Sequence, residues 1–146
     1  MKQAALLREN TRILQMNLDS ISRSDCCCCS GISDTQCFVL VEIGRCPGIS
    51  VKRLAEILRL DKSGISRTVE ELVQKELVER NASEEDRRYV VLNLTDKGNA
   101  KFSRIEKDMN RKFEDVLERI PAEKRGMVIE ALKLYNAALE TDEPAN

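Results

Sequence analysis

A mainly α fold with one small β-hairpin, framed by long helices at both chain ends, follows from three features of the sequence. Apolar residues recur at helical spacing near both termini. Two short helical segments stand almost back to back in the middle. After Leu77 the period drops to two, for a pair of short strands. The 146 residues suffice for one ordinary domain, residues 1–146, and are too few for two sizeable ones.

The first helix carries Leu7, Leu14, Leu18 and Ile21 as an amphipathic stripe and stops before Ser22-Arg23-Ser24-Asp25. A second starts at Ser33-Asp34-Thr35-Gln36, a capping box in which the serine caps and Gln36 reaches back. It bears Phe38, Leu40, Val41 and Ile43 and ends at Gly44, with Cys46-Pro47-Gly48 as the turn. Ser50 caps Val51 to Leu58, whose Leu54, Ala55 and Leu58 turn inward. Asp61 caps a helix from Lys62 to about Lys75 with Ile65, Val69, Leu72 and Val73 as its buried stripe. Its opposite face is expected to show Ser63, Ser66, Arg67 and Thr68. A short helix, a tight turn and a longer helix that starts with small polar and basic residues form a helix-turn-helix.

Leu77-Val78-Glu79-Arg80 reads as a short strand, and Tyr89 to Leu94 as a longer one with Val90, Leu92 and Leu94 on a common face. The polar stretch from Asn81 to Arg88 is the hairpin tip. A helix-turn-helix followed by such a hairpin is a winged helix, here residues 33–95. Thr95 caps a long helix with Phe102, Ile105, Met109, Phe113, Val116 and Ile120 at spacings of three and four. Pro121 breaks it and suits the first turn of a last helix carrying Met127, Val128, Ala131, Leu132, Tyr135, Ala138 and Leu139. One small winged helix cannot cover all these stripes. Residues 1–24 and 97–140 are therefore expected to be dimerisation helices, burying their apolar faces against a second copy, with 141–146 a frayed acidic tail.

Composition excludes several function classes. The chain has no His, which removes the commonest general base and metal nitrogen ligand. Aromatics at 3% argue against a base-stacking platform. No apolar run approaches the roughly 18 residues of a membrane span, and the start is charged too early for a secretory signal. The expectation is a cytoplasmic protein with no membrane partner.

These features resemble the MarR family, the winged-helix regulators named for multiple antibiotic resistance. Three stretches carry the resemblance: Ile32 to Leu40, with its Ser-Asp-Thr-Gln opening; Ile49 to Ala55 continuing to Ser63-Gly64-Ile65-Ser66-Arg67-Thr68-Val69; and Leu77-Val78-Glu79-Arg80 through Asp86-Arg87-Arg88 to Leu94-Thr95-Asp96-Lys97-Gly98. The resemblance implies a homodimer that binds a pseudo-palindromic operator in double-stranded DNA, usually to repress. It departs from the common family pattern in its cysteines.

Net charge is −1, so attraction to DNA must be local. Between Arg45 and Arg67 six bases stand against two acids, a surplus of four. Doubled in a dimer, this patch supports about 6–10 phosphate contacts. The helix starting at Lys62 is expected to enter the major groove, with Ser63, Ser66, Arg67 and Thr68 towards base edges and nearby phosphates. Ser50 and Lys52 hold backbone phosphate from the preceding helix start. From the wing, alongside Arg80, Arg87 or Arg88 reaches the minor groove, with Asp86 orienting an arginine rather than touching DNA.

The six cysteines include the run Cys26, Cys27, Cys28 and Cys29, followed by Cys37 and Cys46. Residues 47–146 have none, unlike a disulfide-stapled secreted scaffold. Two of the four adjacent thiols share a face whether the segment is helical or extended, and Cys37 or a partner chain adds a third. Thiolates favour soft or borderline ligands: copper(I), zinc or arsenite. No cofactor is required, and the metal or metalloid is expected to act as inducer. The alternative is a redox switch through disulfide or sulfenic acid. Cys37 also fits a small core residue, and Cys46 precedes a turn proline. The leading reading is a non-enzymatic, DNA-binding repressor released by thiol chemistry. Weaker readings are a thiol-dependent enzyme, which lacks a base and a βαβ context, and a winged helix used for protein contact.

Overall fold

The computed structural model describes residues 2–23 and 31–140. Its order is α1 (Lys2–Arg23), α2 (Asp34–Arg45), α3 (Val51–Leu58), α4 (Lys62–Gln74), β1 (Val78–Ala82), β2 (Val90–Leu94), α5 (Asp96–Glu118), a one-turn 3₁₀ helix (Ala122–Lys124) and α6 (Arg125–Glu140). It is a mainly helical fold with a two-stranded antiparallel wing. The chain divides into two compact units, Met1–Asp108 and Met109–Asn146, the division falling within α5. The Cys26–Cys29 run and the 141–146 tail lie outside the described residues.

Local capping chemistry sets the helix starts. Ser33 Oγ accepts from the Gln36 amide at 3.2 Å while Gln36 Oε1 accepts from the Ser33 amide at 3.2 Å, closing the capping box of α2. Thr95 Oγ1 accepts from the Gly98 amide at 3.0 Å, starting α5, and donates to the Glu76 carbonyl at 2.6 Å. Thr95 thereby fixes the long helix to the chain leaving α4.

The core of the first unit is built from α2, α3, α4 and the wing. Val39, Leu40, Ile43, Leu54, Val69, Leu72 and Leu92 have no exposed surface, and Ile65 almost none. Phe38, expected among the apolar residues of α2, stands outside, and Val39 takes the buried place. Close approach also uses Gly44, where a side-chain carbon would overlap the Phe102 ring of α5. Arg45 reaches Glu106 of α5 at 3.2 Å.

The wing pairs Val78 with Leu94 through Ala82 with Val90. The ladder starts one residue later than the sequence suggested, because the Leu77 amide donates to the Leu72 carbonyl and closes α4. Val90 shares the face of Leu92 and Leu94 by strand alternation, but only those two are buried: Val90 is exposed at the tip end of the ladder, opposite Ala82. A third backbone segment joins the sheet. Ile49 bridges Leu92, with the Gly48 amide donating to the Leu92 carbonyl and the Leu92 amide to the Ile49 carbonyl. The chain entering α3 is thus anchored to the wing.

The terminal helices contrast with this core. No described side chain of α1 is buried, and Leu6, Leu7, Leu14 and Leu18 are exposed. α6 also has no buried residue, leaving Met127, Leu132 and Leu139 in solvent. Pro121 does not open α6: it precedes the 3₁₀ turn, and α6 begins at Arg125. The Arg125 guanidinium explains the arrangement, since its Nε donates to the Leu117 and Ile120 carbonyls and satisfies the end of α5. Among the described residues, no helix is long and apolar enough to cross a membrane.

Candidate nucleic-acid interface

The helix-turn-helix is built by two caps and a left-handed turn. Ser50 Oγ accepts from the Arg53 amide at 3.1 Å, opening α3. Arg59 ends it with φ +53°, and the Leu60 amide returns to the Ala55 carbonyl. Asp61 then opens α4, its carboxylate accepting from the Gly64 amide at 3.0 Å and the Ser63 hydroxyl at 2.8 Å. The Ser63 hydroxyl first, then the Gly64 N–H, holds the Asp61 carboxyl below its usual range, with the Arg67 charge assisting. The anionic cap also suits the positive end of the helix dipole.

On α4, Lys62, Ser63, Ser66 and Arg67 are exposed and lie at spacings that share one face. Thr68, expected beside them, belongs to the other face. It is buried, with Oγ1 donating to the Gly64 carbonyl at 3.0 Å. The reason is the helical period, which stacks Thr68 with buried Ile65 and Leu72 at spacings of three and four. Thr68 is a packing residue of the buried face of α4, not part of its exposed face.

Glu70 continues the exposed face one turn beyond Ser66 and Arg67, placing an acid where DNA phosphates would be repelled. Arg80 of β1 answers it at 2.8 Å and holds the Glu70 carboxyl below its usual range by hydrogen bond and charge. The sequence places Arg80 among the residues expected to contact DNA. The structure gives it a carboxylate on α4 to neutralise, and so ties the wing to that helix.

At the wing tip, Arg88 forks onto Asp86 through Nε at 3.0 Å and Nη2 at 2.7 Å, and its amide donates to the same carboxylate at 3.1 Å. This depresses the Asp86 carboxyl and raises the Arg88 guanidinium. Arg87 is exposed beside the fork, and Lys52 is exposed in the first turn of α3. Among the described residues, Lys52, Lys62, Arg67 and Arg87 form no ion pair, so their charges face solvent. Tyr89, which is not among the contacts expected from the sequence, is 65% exposed at the base of the tip. By strand alternation it points away from Leu92.

Of the six cysteines, Cys37 and Cys46 lie among the described residues. Cys26–Cys29 lie outside the described residues, while Cys37 is half-buried and Cys46 exposed at opposite ends of α2. Nine positions of helix separate those two by ~13 Å, too far to share an ion. Among the described residues no group of three or more His, Cys, Asp or Glu could hold a metal.

Residues 30–88 match the MarR family model. Over 109 residues the chain is 37% identical to the putative transcriptional regulatory protein for the hcr operon of Thauera aromatica, covering 74% of this chain and 64% of that protein. It is 31% identical over 103 residues to the HTH-type transcriptional regulator BilQ of Clostridium symbiosum (strain WAL-14163), covering 70% and 72%. The fold is similar to that of Streptococcus pneumoniae FabT, solved in complex with DNA, with TM-score 0.81, 20% identity and coverage of 94% and 99%. A MarR family protein from Bacillus stearothermophilus gives TM-score 0.81 at 20% identity, covering 96% and 97%. These relatives are transcriptional regulators, not enzymes.

Proposed function

This chain belongs to the MarR family, and on that premise we propose that it is a cytoplasmic transcriptional repressor that binds a pseudo-palindromic DNA operator as a homodimer. The exposed face of α4 carries the reading: Lys62, Ser63, Ser66 and Arg67 share it, and Glu70 on the same face is neutralised by Arg80. Ser63 and Ser66 offer hydroxyls to base edges, and Arg67 a guanidinium. Ser50 and Lys52 meet phosphate at the start of α3, where the helix dipole favours an anion. Arg87 and Arg88 extend the contact from the wing.

Homodimerisation is supported by α1 and α6, each of which leaves its apolar side chains uncovered within its own chain. A second copy of the chain is the occupant that buries both faces symmetrically. Release by thiol chemistry at Cys26–Cys29 completes the reading, with arsenite, zinc or copper(I) as inducer. Its support is the run of four thiols in sequence, in a chain without His.

The test is binding to duplex DNA from immediately upstream of the protein's own gene, measured across salt concentrations. Affinity is expected to fall steeply with salt, with a log–log slope of roughly −0.9 per phosphate neutralised. Arg67→Ala and Arg88→Ala weaken binding while helicity stays unchanged; loss of helicity would discredit their assignment. Titrating the complex with zinc, copper(I), arsenite and peroxide separates metal or metalloid release from oxidation. Changing Cys26 through Cys29 to Ser leaves DNA binding intact and abolishes the response. Normal release of that variant refutes the sensory role.

A further inference from the structure

Three cross-strand pairs line the face of the wing that is turned towards α4. From base to tip they are Val78 with Leu94, Arg80 with Leu92, and Ala82 with Val90. As alternate pairs of one ladder they share a side of the sheet. Val78, Leu92 and Leu94 are buried, and Arg80 crosses from this face to Glu70 of α4. The core ends there. Val90 is 52% exposed, and Ala82 opposite it is exposed as well. The last pair is an apolar step, two residues or about 7 Å nearer the tip than Arg80 and Leu92.

This step lies between two closed ion pairs. On its base side Arg80 is engaged by Glu70 at 2.8 Å, and on its tip side Arg88 is engaged by Asp86 at 2.7 Å. The surface between them carries no charge of its own. Cations outside any ion pair among the described residues stand on either side, Arg87 at the tip and Lys62 and Arg67 on α4. A duplex that receives α4 in its major groove and the tip in the adjacent minor groove carries one sugar-phosphate strand between the two. Its phosphates are drawn to the flanking cations. An uncharged apolar step suits the other component of that strand, the C–H surface of deoxyribose.

We propose that Ala82 and Val90 are a sugar-contacting part of the DNA interface, packing on deoxyribose of the strand held between α4 and the wing tip. This rests on the reading of α4 and the wing as the DNA-contacting elements. Such a contact is blind to base sequence and displaces no counterion. It therefore adds affinity without adding salt dependence, which separates it from the lysine and arginine contacts around it.

The experiment compares variants of the whole chain for binding to the upstream DNA duplex across salt concentrations. Circular dichroism and sedimentation are measured on each. Val90→Thr keeps the β-branched shape and the strand preference, and exchanges a methyl for a hydroxyl. It is expected to weaken binding about threefold per half-site, about tenfold for a dimer, with the salt slope unchanged. Val90→Lys sets a cation beside the same strand. It is expected to bind more tightly at low salt, with a slope steeper by about one unit per half-site. Tyr89→Lys is the control, since it adds the same charge one residue away on the opposite face of the sheet. Its slope should change less than about half as much.

Unchanged affinity in Val90→Thr overturns the proposal, as do equal slopes in Val90→Lys and Tyr89→Lys. A shallower slope in Val90→Thr overturns it in favour of a phosphate contact. Altered sedimentation of a folded Val90→Thr overturns it in favour of a second copy of the chain covering the step. If Val90→Thr loses its folded signal, Ala82→Lys decides by the same comparison of slopes with Tyr89→Lys. A parent chain that shows no salt-dependent binding refutes the DNA reading itself, an outcome distinct from a parent that binds and Val90 variants that match it.

Discussion

Gly98 of α5 packs directly on the backbone of Leu77, so that a side-chain carbon at position 98 would overlap the Leu77 carbonyl oxygen. That oxygen also accepts from the Thr95 amide at 3.1 Å, and Leu77 itself is buried. The contact joins the exit of α4 to the start of the long helix, where little can give.

Gly98→Ala is accordingly expected to destabilise the protein, although alanine is the better helix former by about 1 kcal/mol. Overpacking against rigid backbone costs about 1–3 kcal/mol, which outweighs that gain. Gly126→Ala is the control, because nothing lies within 4 Å of the added carbon. It should raise stability by up to ~1 kcal/mol. Denaturant midpoints of the two variants shifting in the same direction would contradict the packing argument.

Asp86→Asn separates orientation from charge at the wing. Removing an acid next to DNA ordinarily strengthens binding, by reduced repulsion. If Asp86 serves to hold the Arg88 fork, the variant should instead bind several-fold more weakly. The loss should vanish in an Arg88→Ala background, as a double-mutant cycle on upstream DNA would show. Tighter binding by Asp86→Asn would leave the fork without a role.

Acid pH should weaken the start of α4. The Asp61 carboxyl is held below its ordinary value by Ser63 and Gly64, so its charged form favours the folded state. That contribution is present above the ordinary carboxylate value and is lost as pH falls through the lowered one. Asp61→Asn keeps an oxygen for the Gly64 amide but cannot be protonated in this range. Helicity followed by circular dichroism should then fall less steeply on the acid side than in the parent. Parallel curves would show that the cap carries no pH dependence.

The apolar face of α1 predicts the assembly state. Leu7 and Leu14 are 53% and 37% exposed on the same stripe. Leu7→Glu/Leu14→Glu should convert a dimer to a single chain in analytical ultracentrifugation, with the winged-helix core still folded. DNA affinity should drop by orders of magnitude as one half-site is lost. A variant that sediments as the parent does would remove α1 from the interface.

Much of the frame was legible because it is local. Ser33 with Gln36, Ser50, Asp61 and Thr95 each satisfy an amide within three residues, and the residues that do this are visible in any short window. The bounds of α3, Val51–Leu58, follow from such signals, and Ile65, Val69 and Leu72 of α4 are buried as its period requires, with Val73 half-buried. The Asp86–Arg88 fork spans two positions and was legible for the same reason.

What tertiary structure alone decided lies between distant segments. Arg80 meets Glu70 because the wing folds back on α4, and Ile49 joins the sheet only once Leu92 is beside it. Gln36 meets Glu71 and Lys75 at separations of 35 and 39 residues, and Gly31 meets Lys75 at 44. Thr68 is buried and Val90 exposed for the same reason: burial of a side chain at the margin of a stripe depends on whether a neighbour covers it. Sequence determined which groups need partners, through periodicity and the capping of free amides. Packing determined which partners they found, because a hydrogen bond between remote residues forms only after the core has brought them together.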